Sequence, residues 1–188
     1  MWMQLSDRLQ RFSTGQVALF ALVIFLLFTA SVLPDQAAEA EVYAGAAGSP
    51  DLSLFYTADD LYEMAAAYGE DGRQAYVRAR FTFDLIWPLV YTLFLGTAIS
   101  WVYGKAFSPH SPWQRANLAP VAGMLLDYLE NMATSAVMMR YPDPTPVVDV
   151  LAGVVTTAKW AFVGGSFALL VAGVGLAAWR WARARAAQ

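Results

Sequence analysis

Lys159 stands inside an apolar run from Val147 to Trp179, and Asp127, Glu130 and Asn131 stand inside the run before it, Leu118 to Met139. Asp84 opens an earlier run, Phe83 to Tyr103. Charges in such runs constrain the fold severely. At bilayer depth an ionised side chain is costly unless it is paired or wetted, so it must face the interior of a bundle. The runs themselves are of membrane length, since a spanning helix needs about 20 apolar residues. Four qualify, at about 16-34, 82-104, 117-139 and 147-179. With 58% hydrophobic and only 14% charged residues, the chain is too apolar for an ordinary soluble domain. No alternating ten-residue strands suggest a barrel. The expected fold is all-α: a four-transmembrane-helix bundle in one membrane domain, 1-188, with a small helical extracytoplasmic cap in 35-81.

Basic residues set the orientation. Arg8 and Arg11, Lys105 and Arg115, and Arg180, Arg183 and Arg185 fall on one side of a four-span chain. The positive-inside rule makes that side cytoplasmic, with both termini on it. Asp35 to Gly72 holds nine acids and neither Lys nor Arg, as suits the opposite side. Met1 to Arg11 with Ala38-Glu39-Ala40 could also be read as a cleavable signal peptide. The first apolar run is longer than a usual signal core, which favours a retained anchor. Ala37 to Pro50 reads as a loose linker. Thr57 then reads as an N-cap with acids in the following turn, and Leu61, Met64, Ala65 and Tyr68 share the helix face that follows. Gly69 should end that helix.

On a helical wheel Gly123, Asp127, Glu130, Asn131, Thr134 and Met138 cluster, while Leu125, Leu129, Met132 and Ala136 lie opposite. In the second span Arg80, Asp84, Trp87, Pro88, Tyr91 and Leu95 share a face. Thr92, Gly96, Ser100 and Gly104 make a small-residue seam there, and Gly153, Thr157, Ala161 and Gly165 make one in the fourth span. A homodimer through this last seam is expected. The candidate ligand-binding residues are Arg80, Asp84, Tyr91, Asp127, Glu130, Asn131 and Lys159. They suggest a polar shaft with Arg80 and Asp84 as its gate and Asp127 and Lys159 as its floor, near mid-membrane. Such a site would bind or carry a small polar or amphiphilic ligand, and membrane lipids are the expected partners. In a second reading Asp127 and Glu130 are catalytic acids of an enzyme acting on a lipid or isoprenoid, with Phe83, Trp87, Tyr91 and Phe162 sheltering a cation. The plainest alternative is an ion pair that fixes helix register, in a structural or assembly partner.

No cofactor or metal is expected. Cysteine is absent, and the one histidine, His110, lies in a Pro-rich loop. Disulfide chemistry, haem and zinc or di-iron centres therefore lack their ligands. Walker, Rossmann and G-x-S-x-G patterns are missing, as is a basic patch for nucleic acid.

The strings Thr82-Phe83-Asp84-Leu85-Ile86-Trp87-Pro88-Leu89-Val90-Tyr91, Asp127-Tyr128-Leu129-Glu130-Asn131 and Tyr68-Gly69-Glu70-Asp71-Gly72-Arg73-Gln74-Ala75-Tyr76 resemble a group of small four-span bacterial membrane proteins with no assigned activity. The similarity runs from about Leu52 to the end. It implies a four-span fold in the bacterial inner membrane and supplies no substrate or catalytic residue.

Overall fold

A computed structural model describes residues 2–109 and 111–186. His110 lies outside the described residues. The described chain is helical and contains no strand. Its α-helices are α1 (Trp2–Phe12), α2 (Gly15–Ser31), α3 (Leu33–Ala44), α4 (Ala58–Arg80), α5 (Phe83–Ala106), α6 (Ala119–Arg140) and α7 (Val148–Ala186). Three helical stretches are long and apolar enough to cross a membrane: Gly15–Ala47, Ala58–Ala106 and Val148–Ala186. α6 is long enough but carries the polar residues that lower its hydropathy.

α6 and α7 pack along each other as an antiparallel hairpin, and α5 packs against α2, α6 and α7. α4 lies on α6, and α3 lies on α4. The wheel expected for α6 holds: Gly123, Asp127, Glu130, Asn131, Thr134 and Met138 are buried, and Leu125, Leu129 and Met132 are exposed. The face of α4 is likewise as expected, with Leu61, Ala65 and Tyr68 buried. Thr57 caps α4 through a reciprocal box. Its hydroxyl accepts from the Asp60 amide at 3.2 Å, and the Asp60 carboxylate accepts from the Thr57 amide at 2.8 Å. Gly69, at φ 65 and ψ -177, is non-helical and divides α4 into two helices joined at a kink, as expected.

Three expectations need correction. Residues 37–50 are not a loose linker, because α3 continues to Ala44 and a 3₁₀ turn, Gly45–Ala47, follows. Pro34 starts α3 in the first turn, where a missing amide donor costs nothing, and the Ala and Glu residues after it are strong helix formers. The run expected as the third span, 117-139, is not α-helical from its start: a 3₁₀ segment, Pro112–Leu118, precedes α6. Pro112 and Pro120 open these two elements, and buried side chains pin the first of them to α5 and α1. Asn117 donates to Ser100 Oγ at 2.9 Å and receives Ser6 Oγ at 2.8 Å, and Gln114 donates to the Tyr103 carbonyl at 3.2 Å. The α5 seam accordingly faces this segment, with Thr92 donating to the Pro120 carbonyl at 3.2 Å. Finally, the α7 seam is not left free for a second copy along its whole length. The Tyr56 carbonyl sits where a Gly153 Cβ would lie, and Thr157 donates to the Leu54 carbonyl at 3.1 Å. Gly165 stays open.

Candidate functional site

Six ionisable side chains from five elements meet in one buried layer. Arg80, the last residue of α4, pairs with Asp84 in the first turn of α5, Nε to Oδ2 at 2.6 Å. Its guanidinium also lies 4.7 Å from the Tyr76 ring centroid. On α7, Lys159 pairs with Glu130 of α6. Between these two pairs lies Asp51, on the 3₁₀ turn Pro50–Leu52. One of its carboxylate oxygens is 3.2 Å from Arg80 Nη1 and the other 2.9 Å from Lys159 Nζ. Asp127 takes no part in these ion pairs and accepts instead from the Tyr91 hydroxyl at 3.0 Å.

Asp51 changes the picture read from sequence. Gate and floor are not the two ends of a shaft, because a single carboxylate bridges Arg80 to Lys159. The lysine's partners are Glu130 and Asp51 rather than Asp127. Glu130 also accepts from Thr156 Oγ1 at 2.6 Å, and the Tyr56 hydroxyl lies 2.9 Å from the same threonine oxygen. Asn131 is buried on the expected face but outside this network, and neither of its amide atoms has a hydrogen-bond partner among the described residues. Sequence reasoning missed Asp51 and Tyr56. Asp51 is one of nine acids in an acidic stretch, and only the fold distinguishes it.

Four carboxylates thus face two cations. Burial pushes the Asp51 carboxyl up, but Lys159 and Arg80 outweigh that and hold it below the usual range. Asp51, Asp127 and Glu130 each bring an oxygen within 4.8 Å of the others, a spacing able to hold a metal ion. Lys159 already places a positive charge against two of the three.

The layer borders a cavity of about 1380 Å³ lined by residues of α2 to α7. Asp51, Arg80, Asp127 and Lys159 line its polar part, together with Tyr91. Phe28, Phe83, Trp87, Trp160, Val163 and Phe167 form an apolar wall. Phe162 is not part of that wall and is 43% exposed, so the expected four-ring shelter is incomplete. No family model, curated protein or solved structure matches the chain.

Proposed function

We propose that this is a four-span protein of the bacterial inner membrane that binds or carries an amphiphile, with its polar head at the Arg80–Lys159 layer and its apolar part along the wall below. The reading rests on one observation: a single cavity joins a buried charged layer to an aromatic and aliphatic wall. Such a site, apolar with a few convergent polar groups, is the usual form of a small-molecule pocket. Both termini are cytoplasmic in this reading, and α3 and α4 form the extracytoplasmic cap. The third crossing combines the segment Pro112–Leu118 with the first turns of α6. The same resemblance noted in the sequence favours this arrangement.

Helix lengths support the level assigned to the site. Arg180 donates to the Ala106 carbonyl, which sets the lower ends of α5 and α7 side by side. At 1.5 Å per residue, Asp84 lies about 31 Å above Lys105 and Lys159 about 31 Å above Arg180. The hydrocarbon core is about 30 Å thick. The charged layer then belongs at the outer headgroup level rather than near mid-membrane, with the upper parts of α6 and α7 reaching beyond it. A lipid of the outer leaflet would meet the cavity at that level. Native mass spectrometry of the detergent-purified protein tests this. A bound amphiphile is expected on the wild type, and Ala79→Trp, which fills the cavity beside Arg80, should remove it. An empty wild-type protein would sink the proposal.

One observation favours the enzyme as a second reading. Lys159 holds Glu130 as its partner, while Asp127 borders the cavity and bonds only to Tyr91. Asp127 is then the candidate general acid. Lipid extracts from cells carrying wild type or Asp127→Asn would differ if turnover occurs, and identical profiles would remove the enzyme.

A further inference from the structure

We propose that Arg80 and Lys159 together form a binding site for a monoanionic headgroup, a phosphodiester or a carboxylate, and that Asp51 fills this site from within as a tethered stand-in. The proposal rests on the amphiphile reading above and deepens it. Each cation has its own helical partner, Asp84 for Arg80 and Glu130 for Lys159. Asp51 is therefore a second carboxylate on each, reaching both across 3.2 and 2.9 Å. Two cations converging on one acceptor is the arrangement that recognises an anionic oxygen pair.

Asp51 also sits on the only one of the five elements that is not a long helix. Its three-residue turn lies between Gly48, at φ 72, and the capped start of α4. The neighbouring Leu52, Leu54 and Phe55 are 72%, 70% and 62% exposed, while Ser49, Pro50 and Tyr56 anchor the segment as buried residues. The segment is attached on both sides of Asp51: the Tyr68 hydroxyl donates to the Gly48 carbonyl at 2.6 Å before the turn, and the Tyr56 side chain and Leu54 carbonyl are bonded to α7 beyond it. Asp51, Arg80 and Lys159 all line the cavity, so a headgroup arriving along the wall meets the two cations where Asp51 now lies. Charge selects the class of ligand. A monoanion replaces Asp51 charge for charge and leaves the layer's balance unchanged. A dianion would add negative charge to a layer where acids already outnumber bases, so a phosphomonoester is disfavoured.

The full-length protein in neutral detergent is tested with dioleoyl phosphatidylglycerol, with oleate and with zwitterionic dioleoyl phosphatidylcholine, each retained probe being read by native mass spectrometry. Asp51→Asn should retain phosphatidylglycerol, oleate or both about tenfold better than wild type, because a competing state is removed. Phosphatidylcholine should be unchanged, and Arg80→Gln should lose the preference for anions. A gain with one probe alone supports the site and assigns its headgroup. A second measurement needs no variant: in wild type, amide hydrogen exchange over residues 48–54 should rise on adding the retained anion and stay level with phosphatidylcholine. Equal retention by wild type and Asp51→Asn, with no change in exchange, would overturn the stand-in while leaving amphiphile binding intact. Loss of anion binding in Asp51→Asn would make Asp51 part of the ligand's own site and overturn it as well. If neither protein retains any probe, the amphiphile reading itself fails.

Discussion

Lys159 answers two buried carboxylates, so its removal leaves Glu130 without a counter-charge and Asp51 with Arg80 alone. Breaking a buried pair from one side costs about 3–5 kcal/mol, whereas replacing both members by apolar residues is often neutral. Lys159→Met is therefore expected to lower thermal stability in detergent sharply. Adding Glu130→Leu should recover most of the loss, because Asp51, Arg80 and Asp84 remain as a connected set. Adding Asp127→Leu instead should recover little, since Asp127 bonds to Tyr91. A stable Lys159→Met/Glu130→Leu protein that has lost its amphiphile would establish a functional layer, while one that keeps it would reduce the pair to scaffolding. Acid tests Asp51. Its carboxyl is held below the ordinary range in the fold, so its contribution is present above the unfolded value, about pH 3.9, and is lost as pH falls below it. The melting temperature of wild type should drop more steeply below about pH 4 than that of Asp51→Asn, and parallel curves would contradict the bridge. Arg80, Asp84, Glu130 and Lys159 were legible as buried charges because each interrupts or adjoins an apolar helical pattern. Asp51 was not, since an acid in an acidic loop carries no pattern until the chain folds back.

Among the elements, those with local signals were the readable ones. The start of α4 follows from Thr57 and Asp60 alone, and its cap is testable: Thr57→Ala should cost about 1 kcal/mol in urea or thermal unfolding, and no measurable loss would mean that the box contributes little. The faces of α4 and α6 followed from helical spacing. α3 was misread because Ala, Gly and Glu resemble a linker by composition, although Ala and Glu prefer helix when packing gives them a partner such as α4. The α7 seam shows the same limit of sequence at its Gly153 end. Small residues every fourth position announce a close neighbour without saying whose backbone it is. Here the neighbour is the irregular segment 54–56, over Gly153. Gly153→Val should therefore destabilise the monomer without changing its state of association, and a stable variant that alters only association would restore the dimer seam.

For the whole molecule, the proposed topology puts Ser53 and Ser108 on opposite sides of the membrane. Cysteine placed at each should react with an impermeant reagent from opposite faces, and labelling of both from one side would remove the four-span arrangement. The apolar surface is taller on the α6–α7 flank, where Met132, Val150 and Val154 are exposed above the charged layer, than on α5. A bilayer of even thickness accommodates such a difference by tilt or local thickening. The α6–α7 hairpin has a last consequence, for how the chain reaches its membrane. α6 carries Asp127 and Glu130 with no basic residue of its own before Arg140, so neither carboxylate has a counter-charge within the helix as it emerges. Its counter-charge, Lys159, is synthesised later, beyond the short link 141–147. α6 should accordingly wait at the translocon and enter the bilayer together with α7, as one unit whose charges are already matched. A nascent chain ending before Lys159 would leave α6 uninserted.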